Sequence, residues 1–330
     1  METHRFIENS EPPLFTEHNN QITNGLMNQK DFQILVSHIG AELKSIQRDG
    51  REYLWNADKS YWGRTAPILF PIVGRLANDT ITIDGNSYTM KQHGFARDAE
   101  FVPHHTRASL LDGLIRIEPN ETPLVYSMDQ ASIPPCYPYL FDLEVSYNMT
   151  DSEVVCTWTV RNKGDQPMNF QIGAHPAFVL PNYNANDENH GYLRFYDNHG
   201  NVVNPNVSNY LIDGLRHSYD KPQSITDQNV VLPITNGLFI NDAILIEGKQ
   251  VGSVALLDKK GHKVLSVICP QAEAFGIWAP NKPGCPFVCI EPWCGIADRF
   301  DFDGDIAERE LNHQLKPGET YLFIYSIQIH

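Results

Sequence analysis

Strict two-residue alternation runs through the middle of the chain. Tyr139, Phe141, Leu143, Val145, Tyr147 and Met149 fall on one side, and Asp142, Glu144, Ser146 and Asn148 on the other. Side chains alternate across a strand but recur every 3.6 residues in a helix, so this run belongs on a half-buried strand. Thr150-Asp151-Ser152 supplies a polar turn, after which Val154, Cys156, Trp158 and Val160 resume the alternation. Two such runs joined by a short turn predict a hairpin. A second hairpin is expected from Ile81-Thr82-Ile83 and Asn86 to Met90 around Asp84-Gly85, a dipeptide suited to the positive φ angles of a tight turn. A third joins Val254–Leu257 to Val264–Ile268 through Lys259-Lys260-Gly261, and Tyr321, Phe323, Tyr325, Ile327 and Ile329 alternate again near the C-terminus. No helical period persists beyond a couple of turns.

With 22 Gly and 22 Pro punctuating short strands, the expected class is all-β, a large two-sheet sandwich. No composition break divides the strand region, so one domain is expected over residues 22–330. Residues 1–21 mix Glu, Asn, His and Pro without periodicity and read as an N-terminal extension. The stretch 181–230, rich in Asn, Asp and Tyr, reads as long loops on one face, where binding chemistry tends to sit.

Charge and cysteine usage narrow the function. A net charge of −15, from 25 basic and 40 acidic residues with no basic stripe, argues against a nucleic-acid surface. No segment approaches the roughly 20 apolar residues that span a bilayer, and the N-terminus has no apolar signal region. A cytoplasmic location and no membrane partner are therefore expected, and the sequons at Asn78, Asn120, Asn148 and Asn206 carry no weight. The cysteines at 136, 156, 269, 285, 289 and 294 lack paired Cys-x-x-Cys spacing and read as reduced thiols, with Cys156 and Cys289 inside apolar strand patterns. His104 and His105 are adjacent, so their side chains diverge on a strand. No metal signature, phosphate-cradling glycine loop or Gly-x-Ser-x-Gly elbow is present.

Against that background Glu291 stands out. It follows the apolar run Phe287-Val288-Cys289-Ile290 and precedes Pro292-Trp293. The run reads as a buried strand that Pro292 should end, since proline has no N–H for a ladder. A buried carboxylate needs partners or takes a raised pKa, a state suited to general acid–base work. The alternative is a structural Glu capping a strand or pairing with arginine. Three further polar clusters sit in apolar or glycine-rich stretches: Leu69 to Arg75, Gln92 to Asp98 and Gly173 to Phe178. Arg75 fits a salt bridge and His93 a turn histidine, while His175, between Ala174 and Pro176, is a loop histidine among small residues and open to a ligand.

Taken in order, Leu69–Arg75, His93-Gly94-Phe95-Ala96-Arg97-Asp98, Ala174-His175-Pro176 and Cys289-Ile290-Glu291-Pro292-Trp293 resemble the aldose 1-epimerase (mutarotase) family. Within it the chain is most similar to the LacX-like branch. Gly40 to Ile46, Tyr61-Trp62 and Gly276-Ile277-Trp278 fit the same pattern, so the resemblance spans roughly residues 22–329. It implies a galactose-mutarotase-like antiparallel β-supersandwich with a sugar pocket on its concave face. By motif position Glu291 corresponds to the general base and His175 to the general acid. Arg75 and His93 match sugar-contacting positions, and Asp242 resembles an aspartate that binds sugar hydroxyls. The residues after His93, and Pro176 after His175, depart from dedicated galactose mutarotases. The acid–base pair is therefore implied without galactose specificity.

The residue types agree with that chemistry. Interconverting anomers opens a hemiacetal: the O1 proton leaves, the ring oxygen is protonated, C1–C2 rotates and the ring closes. One base and one acid, set on opposite sides of the anomeric centre, suffice, each giving typically 10²–10⁴-fold. No cofactor and no metal are needed. Arg75 and a second histidine are placed to hold ring hydroxyls, and Trp62, Trp278 or Trp293 to stack on a sugar face, core packing being the expected role of at least two of the three. The expected partner is a free aldohexose, and a homodimer is compatible with the fold. A glycoside hydrolase would need a second carboxylate, for which Asp98, Asp242 and Asp298 are the candidates. A non-catalytic carbohydrate-binding protein is the third alternative.

Overall fold

The computed structural model describes residues 32–104, 114–117 and 124–330. The expected extension at 1–21, the first residues of the expected domain, His105 and Asn120 lie outside them. Among the described residues the chain is built of strands joined by turns, and its main ladders are antiparallel.

The alternation at the centre of the sequence lies at the centre of the largest sheet. Phe141–Met149 pairs with Glu153–Asn162, setting Val145 opposite Trp158, and Glu153–Asn162 pairs with Thr320–Ile329, setting Trp158 opposite Phe323. The apolar set faces inward: Phe141, Leu143, Val145, Tyr147 and Met149 are all at most 2% exposed. Trp158 stacks on Phe323 at 5.1 Å. Each such side chain contributes about 1.5–3 kcal/mol by leaving water. Lys263–Ile268, Ser253–Leu257 and Asn189–Tyr196 extend the sheet on one side, where Val202–Val203 and Leu232–Thr235 both pair with Asn189–Tyr196, and Leu124–Met128 and Phe101–Pro103 extend it on the other, to ten strands in all.

A six-stranded sheet carries the Glu291 segment. Its order is Ile244–Glu247, Ala274–Trp278, Phe287–Cys294, Ile172–Ala174 and Ile68–Leu69, with Ala177–Val179 also paired to Phe287–Cys294. One apolar cluster joins Val145, Trp158 and Phe323 of the large sheet to Ile172, Ile277, Val288 and Ile290 of this one. Phe287, Cys289 and Trp293 point the other way, into smaller clusters. The strand is covered on both faces, which is why it reads as a continuous apolar run. It also puts Glu291 on the face turned away from the shared core.

Two expectations are corrected. Phe287–Cys294 does not stop at Pro292 but continues to Cys294. Alternate residues of a strand send their N–H to the same side. Ile290 donates to Pro176, so the nitrogen of Pro292 faces the same neighbour, where residues 174–176 make no pairs with this strand. The missing donor falls where the ladder is already broken. The stretch 181–230 is likewise not long loops: it holds Asn189–Tyr196 and the hairpin Asn206–Ile212/Leu215–Ser224. Asp213 and Gly214, with φ of 53° and 78°, form its tight turn. Leu215–Ser224 is exposed over its last five residues and its one buried side chain is Arg216, so no hydrophobic alternation marked it.

Candidate active site

Strand register brings His175 to Glu291. Gly173 pairs with Trp293 and Ala177 with Cys289, and both pairs have the same register, which sets position 175 opposite position 291. The unpaired residues His175 and Pro176 interrupt the ladder there. Nε2 of His175 lies 3.2 Å from Oε2 of Glu291, with both side chains buried. The contact lacks hydrogen-bond alignment, and Oε2 has no other partner.

Aromatic rings enclose the imidazole. Trp62 stacks on it at 4.7 Å and 25°, Trp278 meets it edge-on at 5.6 Å, and the His93 ring stands perpendicular at 5.5 Å. Trp62 comes from a loop tied down by side-chain hydrogen bonds from Trp55 and Lys282. Trp55 Nε1 donates to the Trp62 carbonyl at 2.8 Å, and Lys282 Nζ to the Ser60 carbonyl at 2.8 Å. Trp293 is the indole packed into the sheet. It covers Gly173 and Gly276, where an added Cβ would come within 2.7 Å and 2.6 Å of its ring.

These groups line a cavity of about 320 Å³ with Gln92, Arg97 and Asp242, within the range of small-molecule sites. His93 sits in its wall with φ of 65°. Its Nδ1 accepts the Gly74 N–H at 3.1 Å, and its own N–H donates to the Gly74 carbonyl at 2.8 Å. With Nδ1 accepting, the neutral ring carries its proton on Nε2 and is a donor. Asp242, half-buried with φ of 68°, accepts the Ala243 N–H at 2.9 Å.

Burial sets the electrostatics. It pushes the Glu291 carboxyl well above the usual carboxylate range, and the nearby Asp242 carboxyl adds to the rise; the Trp293 indole N–H, though not aligned for a hydrogen bond, pulls the other way. Burial drives His175 down to about 3, with the Arg97 and Arg64 cations adding to the fall. His93 is held well below the ordinary histidine value by burial and by His175, Arg97 and Arg64. Asp242 is raised by burial. Each shift favours the neutral form, as burial in a low-dielectric chamber dictates.

Of the five residues singled out in the sequence, Glu291, His175, His93 and Asp242 line this chamber. Arg75 lines a second, more open cavity of about 830 Å³ that shares Gln92, Leu211, Gly214 and Asp242 with the first. There it makes a two-pronged pair with Asp79, Nε at 2.8 Å and Nη2 at 2.9 Å, and donates to the Asp213 carbonyl at 3.0 Å. All three tryptophans border the inner chamber. Sequence reasoning missed the hairpin tip at Gly214 and the wall residues Leu211, Ala243, Leu245 and Ala297. Only Asp213-Gly214, a tight-turn dipeptide, carried a usable signal for any of them.

Comparison with known proteins gives the same placement. The family model described as Aldose 1-epimerase matches residues 24–328. The chain is 30% identical over 299 residues to the chromosomal protein LacX of Lactococcus lactis subsp. lactis, covering 88% of this chain and 94% of that protein. A galactose mutarotase related enzyme from Lactobacillus acidophilus has a TM-score of 0.77 at 31% identity, covering 92% of this chain and 96% of the other. A galactose mutarotase-like protein from Lactobacillus casei ATCC 334 has a TM-score of 0.78 at 24% identity, covering 92% and 99%, and speaks for the shared fold alone. A galactose-mutarotase-like all-β fold, the family match over most of the chain and the LacX relationship agree, and the chain belongs to the aldose 1-epimerase family.

Proposed function

We propose that this protein interconverts the α- and β-anomers of a free aldohexose, with Glu291 and His175 as the acid–base pair. The observation that carries the proposal is the buried contact of 3.2 Å between them at the wall of an aromatic-lined chamber. The O1 and ring oxygens of a hemiacetal share one carbon, so an acid and a base side by side reach both. This replaces the expectation of groups on opposite sides of the anomeric centre.

One proton suffices for the cycle. With Glu291 ionised and His175 protonated, Glu291 takes the O1 proton while His175 protonates the ring oxygen, and the ring opens. The pair is left as a neutral carboxyl and a neutral imidazole, the forms that burial favours. Rotation about C1–C2 and closure on the other face return the proton to its starting place. The stacked indole of Trp62 attracts a cation and so favours the imidazolium when it forms. His93, as an Nε2–H donor, and Asp242 hold ring hydroxyls. Arg75 acts from the outer cavity, on whatever part of the substrate extends past Asp242.

Asp242 gives the hydrolase reading its one specific support, because a second carboxyl near Glu291 is what such an enzyme requires. The other two candidates are engaged elsewhere, Asp98 with Arg64 at 2.7 Å and Asp298 with Arg309 at 2.6 Å. The two readings are separated by substrate. An epimerase needs the O1 proton, so free aldohexoses should exchange anomers and methyl or aryl glycosides should remain intact. Release of nitrophenol from an aryl glycoside, abolished in Glu291→Gln, would replace this proposal with hydrolysis.

A further inference from the structure

Ring opening has no use for Cys289, yet its thiol adjoins both members of the pair. Cys289 lies two residues before Glu291 on the same face of Phe287–Cys294 and opposite Ala177, two residues after His175. Its Sγ, one ring nitrogen of His175 and one carboxyl oxygen of Glu291 all lie within 4.8 Å of one another. Zinc bonds to S, N and O at about 2.0–2.3 Å, which puts the ligand atoms of a tetrahedral site about 3.3–3.8 Å apart. The His175–Glu291 separation of 3.2 Å is already close to that spacing, and the Cys289 Sγ, within 4.8 Å of both, has to approach further on binding. A second observation points to a ligand: Glu291 Oε2 is buried without a hydrogen-bond partner. His175 and Glu291 line the adjoining chamber, and Cys289 is buried beside them with Trp55, Ala177 and Phe287.

We propose that a thiophilic divalent cation of the zinc class binds His175, Cys289 and Glu291 together and thereby inhibits the enzyme. The proposal rests on the acid–base reading of these residues for its inhibitory consequence, but not for the binding itself. On binding, the Cys289 thiol proton and the single proton shared by His175 and Glu291 leave to solvent, and no electrons move. Affinity therefore falls as pH falls. A second triad, Glu273, Cys294 and His313, also converges within 4.8 Å. It is a weaker competitor, because Glu273 already holds Lys249 at 3.5 Å and His313 at 3.0 Å, and the Cys294 thiol donates to the Gln271 carbonyl at 3.3 Å.

Cobalt titration of the purified full-length protein tests the ligand set without reference to turnover. Cobalt bound through a thiolate gives a near-ultraviolet charge-transfer band. One such band at one equivalent is expected in the wild type, lost in Cys289→Ser and in Cys289→Ala, and kept in Cys294→Ser. Zinc, added alone, should stop anomer exchange in the wild type, with chelator restoring it. The half-inhibiting concentration should rise at least about 10-fold in the Cys289 variants, since even outer-sphere losses cost 10–100-fold. Excess aldohexose should shift zinc binding to higher concentration. No band in the wild type, or a band lost only in Cys294→Ser, overturns the proposal. A Cys289-dependent band in a protein that turns over no sugar would leave the metal site standing and remove the epimerase reading instead.

Discussion

Gly74 and His93 hold each other by two hydrogen bonds, Gly74 N–H to Nδ1 at 3.1 Å and His93 N–H to the Gly74 carbonyl at 2.8 Å. The pairing fixes the ring and leaves Nε2–H as a donor into the chamber. If His93 holds a sugar hydroxyl as proposed, His93→Ala removes a neutral hydrogen bond worth about 0.5–1.5 kcal/mol or roughly 2- to 12-fold in affinity. Steady-state kinetics should show KM rising by that factor with a smaller change in kcat. The variant should also melt lower, since Gly74 N–H loses its buried acceptor. A fall confined to kcat would move His93 into the proton-transfer step.

Glu291 works at a cost to stability. Its folded pKa is raised above the unfolded value, so its contribution is fully present below the ordinary carboxylate range and is lost as pH rises through the raised folded value. Glu291→Gln removes that titration. Thermal melts should place the variant above the wild type, with the gap widening as pH rises from about 4.5 through the neutral range. A gap that is absent, or that narrows with rising pH, would mean the carboxylate is stabilised in the fold.

The pH dependence of kcat/KM follows from the one-proton pair. Adding a second proton disables it at low pH, and His175 is pushed down to about 3, so the acid limb should fall below the ordinary histidine range. Losing the only proton disables it at high pH, and the rise of Glu291 moves that limb above the usual carboxylate range. A broad bell is expected, with limbs belonging to the pair. A single limb near 6.5 would point to an exposed histidine instead.

Ring opening by these two residues requires no metal. Exhaustive chelation should leave anomer exchange unchanged or, where zinc was bound, raise it. A rate that collapses on chelation and returns with one added metal would contradict both this mechanism and the inhibitory role of zinc.

The fold was legible because its signals are local. Phe141 to Met149 alternates over nine residues, and Asp84-Gly85 names its own turn type, so neither needs long-range information. The LacX-like motif order was legible for the same reason. What remained hidden depends on register and tertiary context. Nothing local says that Pro292 faces a broken ladder, or that the 173–293 and 177–289 pairs set His175 across from Glu291. The stack of Trp62 on His175 joins a loop to a break in the ladder 113 residues away, and Arg75 was legible as a polar side chain but not as a wall of the outer cavity. The hairpin at Asp213-Gly214 was obscured because its few buried positions, Val207, Leu211 and Arg216, make no regular hydrophobic period.

Magnetisation-exchange NMR between the α and β C1 protons of a free aldohexose at equilibrium measures ring opening directly, with no coupled enzyme. With wild-type protein the exchange should run well above the buffer rate. In Glu291→Gln it should drop by at least about 10²-fold while the sugar still binds, and His175→Asn should likewise lose rate more than affinity. Exchange at near wild-type speed in Glu291→Gln would contradict the assignment of Glu291 as the base.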